Sequence, residues 1–62
     1  MSVTVRPDPD YPIGSWVLRD GKQIGYISRK GRREWHAART GGGVVERFKS
    51  RAEAVRYVAD NA

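Results

Sequence analysis

Residues 15–39 read SWVLRDGKQIGYISRKGRREWHAAR, and the two turns inside that stretch decide the fold. Asp20-Gly21 is the dipeptide best suited to a two-residue hairpin, because both central positions of such a turn require positive φ. The runs on either side, Ser15 to Arg19 and Lys22 to Arg29, carry the β-branched and aromatic residues of strands. A second turn at Lys30-Gly31-Arg32-Arg33 leads into Glu34 to Arg39, and Thr40 to Gly43 is a glycine loop before Val44 to Phe48. Ser50 then stands three residues before Glu53, the capping-box spacing that opens a helix. In that helix Ala52, Val55, Val58, Ala59 and Ala62 fall in one stripe, with Glu53, Arg56, Tyr57 and Asp60 opposite. The pattern predicts an α+β fold, a three- to four-stranded antiparallel sheet packed on one C-terminal helix.

Upstream, Pro7, Pro9 and Pro12 hold the chain extended and remove ladder donors, so residues 1–12 read as an N-terminal arm to a single domain at 13–62. Val3 to Val5 is a candidate edge strand within that arm.

Register follows from closing each hairpin on its turn. Closure on Asp20-Gly21 sets Val17 opposite Ile24, and closure on Gly31-Arg32 sets Tyr26 opposite Ala37 and Ser28 opposite Trp35. One face then holds Val17, Ile24, Tyr26, Trp35, Ala37, Val44 and Phe48, a core for the helix. The other holds Trp16, Leu18, Ile27, Arg29, Glu34, His36, Ala38, Val45 and Arg47, with no helix left to cover it.

Charge points the same way. Of the twelve basic residues, nine are arginine, and Arg19 to Arg39 holds seven of the twelve against two acids. By segment the chain carries −1 over residues 1–12, +5 over 13–43 and +1 over 44–62. A sheet studded with guanidinium groups suits an anionic partner, and the arginine fork matches phosphate or a guanine edge. The expected contacts with duplex DNA are Arg29, Arg47, His36 and Trp16 on the uncovered face, with Arg19 and Lys22 beside the first turn and Lys30, Arg32 and Arg33 at the second.

The Trp-bearing strand, the short hairpin, the strand with Trp35 and the run Phe48-Lys49-Ser50-Arg51-Ala52-Glu53-Ala54-Val55 resemble the three-strands-plus-helix DNA-binding domains of plant ethylene-response (Apetala-type) factors and of integrase arm-binding domains. The resemblance spans residues 14–60. It implies docking of the sheet in the major groove, with contacts at Trp16, Arg29, Trp35 and Arg39 and a phage or bacterial mobile-element setting. For Trp35 it competes with the register above, which buries that side chain under the helix.

Other classes find little support. Four serines occur and none lies in a nucleophile elbow; Gly41-Gly42-Gly43 lacks the lysine and hydroxyl of a phosphate loop. The single histidine and the absence of cysteine leave no metal set, so no enzyme, cofactor or small-molecule substrate is expected. Apolar runs are too short for a bilayer, and the chain reads as soluble and cytoplasmic. Two alternatives to DNA remain: a protein-binding adaptor using Trp16, Leu18 and Ile27, and RNA binding, for which a strand pair bearing adjacent aromatics is the expected sign.

Overall fold

The computed structural model describes residues 2–42 and 44–61, so the expectations that touch Met1 in the arm, Gly43 in the loop and Ala62 in the helical stripe lie outside it. Five strands, β1 (Val3–Pro7), β2 (Gly14–Arg19), β3 (Lys22–Gly31), β4 (Glu34–Arg39) and β5 (Val45–Phe48), precede one helix, α1 (Arg51–Asn61). They form a single antiparallel sheet in chain order, β1 to β5. The class is α+β as expected, with five strands where the turns predicted three to four. The extra strand lies in the proline-bearing leader: Val3–Pro7 pairs with Ser15 to Arg19 of β2, with Pro7 at the end of an edge strand, where the missing N–H costs least.

The first hairpin turns at Asp20 and Gly21 with φ of 52° and 85°, the doubly positive pair that the dipeptide requires. Next to the turn the register is the expected one, Arg19 opposite Lys22 and Leu18 opposite Gln23. It then shifts at a β-bulge, so that Gly25 faces Val17 and Ile24 is the extra residue. A second irregularity between Arg29 and Gly31 leaves Lys30 unpaired and closes the next hairpin on Arg32-Arg33. Because side chains alternate with period two, these bulges turn the middle of β3 over while β2 and β4 keep their predicted faces.

Three face assignments are thereby corrected. Ile27, expected on the uncovered side, is fully buried under α1 beside Val17, Ala37, Ala54 and Val58. Arg29, opposite Trp35, stands on the helix side of the sheet instead of the open side. Tyr26 moves the other way, opposite Trp16 and Ala38 on the open face. Val44, expected in the core, precedes β5 and is 59% exposed. For Trp35 the register reading holds, since the ring packs against the core beneath α1.

Ser50 caps α1 as its spacing predicts. Its Oγ accepts from the Glu53 backbone N–H at 3.2 Å and donates to Glu53 Oε1 at 3.1 Å. The buried helical residues are Ala54 and Val58, flanked by Val55 and Tyr57, whose ring meets Phe48 at 5.2 Å between centroids. The apolar stripe is therefore rotated from the predicted one, which had placed Tyr57 on the polar side and Ala52 inward; Ala52 is exposed. Helix and sheet meet most closely at Gly25. A Cβ there would overlap Val58 Cγ1 and stand 2.7 Å from the Ala38 carbonyl oxygen.

No basic residue lies in the last turn of α1. The sheet supplies the missing positive charge: Arg19 donates to the Ala59 carbonyl and Arg39 Nη1 donates to the Asn61 carbonyl at 2.9 Å. Both guanidinium groups neutralise the negative end of the helix dipole and its orphan carbonyls.

Replacement Gly25→Ala is expected to cost about 1–3 kcal/mol through overpacking against Val58. That is a large part of the roughly 3–5 kcal/mol that a core of this size supplies. Urea unfolding with an unchanged midpoint would show that helix and sheet are not in close contact there.

Candidate nucleic-acid interface

Across the open face the registers place one row of side chains, Arg6, Trp16, Tyr26, Ala38 and Val45, over the middle of the sheet. A second row, Ser28, His36 and Arg47, lies alongside it toward the β3–β4 turn. Trp16 is 40% exposed and Val45 58%. Among the described residues the helix covers none of these positions, because α1 occupies the opposite side.

The leader crosses one end of this face. After β1 the chain turns at Asp8, whose Oδ1 accepts from the Asp10 backbone N–H at 2.9 Å. Oδ2 of the same carboxylate accepts from the Tyr26 hydroxyl at 2.9 Å and from Trp16 Nε1 at 3.4 Å. Farther along, the Tyr11 ring lies 5.9 Å from Lys30 Nζ, which also donates to the Tyr11 hydroxyl at 3.4 Å. The six-residue connection thus clasps the edges of two aromatic side chains without covering the row from Ala38 to Val45.

Titration follows from that clasp. The Asp10 backbone N–H and then the Tyr26 hydroxyl hold the Asp8 carboxyl below its ordinary 3.8 against the opposing effect of burial, with the Trp16 indole adding the smallest part. Burial first, then the hydrogen bond and the charge of Asp8, push the Tyr26 phenol up to about 12. A depressed carboxylate stabilises the fold above its unfolded pKa, and that contribution is lost as pH falls through the folded value. A raised phenol has the opposite sign: its contribution is complete below pH 10 and is lost as pH rises toward about 12.

The cations fall into two groups. At the β3–β4 turn, Arg29, Lys30, Arg32 and Arg33 are exposed; the register brings Arg47 of β5 to the same end, and Lys49 and Arg51 follow where the chain leaves β5 and enters α1. Arg33, Arg47 and Lys49, with Glu34 and Phe48, line one crevice of about 280 Å³ there. Seven of the twelve basic side chains therefore gather at this tip, together with the positive end of the helix dipole. Acids share this end of the molecule, but Glu34 is engaged by His36 Nε2 at 2.9 Å and Glu53 by Ser50. Among the described residues no arginine or lysine is in ion-pair contact with a carboxylate.

The ten expected DNA contacts are thus divided in space. Arg29, Lys30, Arg32, Arg33 and Arg47 come together at the tip, and Trp16 and His36 stand on the open face. Arg19, Lys22 and Arg39 lie at the far end, where Arg19 and Arg39 serve the helix C-terminus. Residue-by-residue reading missed Tyr26, Asp8, Ser28 and Arg6. The available signal for Tyr26 was Gly25, since a glycine inside a strand marks a bulge or a close backbone approach. The apolar patch expected of a protein adaptor loses Ile27, which is buried.

The described residues hold no group of three potential metal ligands, and no described helix is long and apolar enough to cross a membrane. Comparison with known proteins adds no family: no protein-family profile, curated protein or solved structure matches the chain.

Absorbance titration of phenolate should resolve one tyrosine of the three with a pKa near 12. In Asp8→Ala that value should fall but stay above 10, because burial is its largest cause. Three tyrosines titrating together near the ordinary value would show that the clasp does not form in solution.

Proposed function

We propose that the domain binds duplex DNA and grips it by the β3–β4 tip. The observation that carries this reading is the gathering at that end of exposed cations that make no ion pair with a carboxylate, in a chain of net charge +5. The planar fork of a guanidinium is pre-organised for phosphate, so less rotamer entropy is lost per hydrogen bond formed, and each contact releases condensed counterions.

Strand number bears on how the duplex is held. Steps of about 4.8 Å put the outer strands of a five-stranded sheet about 19 Å apart, wider than a major groove of roughly 12 Å. The whole sheet does not fit flat in the groove, but a two-stranded ribbon does. The end of the β3–β4 hairpin, Lys30 to Arg33, extends past the pairing of β2 and β5, so it is the part that enters, with Arg47 and Lys49 on the flanking phosphates.

Four phosphate contacts predict a log–log salt slope near −3.6, so affinity should fall about a hundredfold between roughly 50 and 200 mM salt. Arg32→Ala with Arg33→Ala should flatten that slope by about 2 and leave the thermal midpoint nearly unchanged, both residues being exposed. Duplex binding that is absent at the lower salt, or indifferent to it, overturns the proposal.

A further inference from the structure

The row Arg6, Trp16, Tyr26, Ala38, Val45 has a gap in it. Two aromatic side chains stand side by side on β2 and β3, a methyl group follows on β4, and a branched side chain stands on β5. Between Tyr26 and Val45 this leaves a trough of about 190 Å³ floored by Ala38 and Ser28, with His36 and Lys30 at its sides. The strands that bear its two walls are two steps apart, about 9.6 Å. A planar ring about 3.4 Å thick fits that space, and Tyr26 offers it an aromatic surface.

The rim selects among planar ligands. Lys30 lines the trough, its Nζ 3.4 Å from the Tyr11 hydroxyl, and Arg47 stands beside it opposite His36; neither cation is in contact with a carboxylate, while the Ser28 hydroxyl and the His36 ring nitrogen that does not meet Glu34 offer polar atoms to a base edge. A cationic rim around an apolar, ring-sized slot matches a nucleotide, phosphate outside and base inside. A base within an intact duplex is sandwiched by its neighbours and cannot present a face to Tyr26.

We infer that the open face holds an unpaired base of a nucleic-acid strand, in the trough between Tyr26 and Val45, with Lys30 and Arg47 on the adjoining phosphates. This rests on the reading that the protein binds DNA, and it adds a preference: the domain favours ends, gaps or single-stranded stretches beside a duplex.

The test compares a blunt DNA duplex with the same duplex carrying a single-stranded overhang, at low salt. Stacking one base is worth about 1–3 kcal/mol, so the overhang should tighten binding roughly 5- to 150-fold. Ala38→Leu, which fills the trough, and Val45→Glu, which puts a carboxylate on its rim, should remove that advantage while the ratio for blunt duplex between variant and parent changes far less. Val45 is 58% exposed, so the second variant folds even where the first does not. Equal affinity for the two DNAs, or an advantage that survives both substitutions, overturns the unpaired-base site and leaves the tip contact standing. If neither DNA binds, the DNA reading itself fails and the inference with it.

Discussion

Ile24 is the residue that β3 carries in excess opposite Val17, and the placement of nearly every other side chain in the centre of the sheet depends on it. Without the bulge, a two-residue turn at Asp20-Gly21 would send Tyr26 toward the helix and Ile27 toward solvent. With it, Ile27 drops into the core beside Val17 and Ala37, and Gly25 comes under Val58 where no Cβ fits. A core of five fully buried apolar residues leaves no room for an alternative. Tyrosine under α1 would bury a hydroxyl with no partner, whereas on the open face that hydroxyl reaches Asp8. Packing and hydrogen bonding thus select the same register.

The helix divides the cations as well as the faces. Its C-terminal carbonyls draw in Arg19 and Arg39 from the ends of β2 and β4, so a pair of guanidinium groups that look available in the sequence serve the fold. Its N-terminus lies at the opposite end, where the β3–β4 turn and the end of β5 bring further basic residues together. There the helix dipole adds to the side-chain charge instead of compensating it. The result is a molecule polarised along the helix axis, with a positive tip that attracts anions from a distance set by the Debye length, about 10 Å at moderate salt.

The leader belongs to the same scheme. An isolated edge strand with prolines behind it is a weak element in a domain this small, and the chain secures it with one carboxylate shared by two aromatic donors. That contact ties the leader to Trp16 and Tyr26, which the register places on the open face beside the short side chain of Ala38.

Much was legible in the residues themselves. Asp20-Gly21 set the first turn, because few other pairs tolerate two positive φ values, and Ser50 with Glu53 set the helix start, because their side chains answer local backbone donors. The α+β class and the single helix follow from those local rules together with periodicity. The crowding of basic residues between Arg19 and Arg39 is likewise a property of the composition alone. What only the tertiary structure decided is which side each β3 residue faces, which face of α1 is buried, and which arginines remain free. A bulge conserves the local strand pattern while shifting its phase by one residue, so no window of sequence reveals it; the phase is chosen by packing of β3 against β2, β4 and Val58 at once.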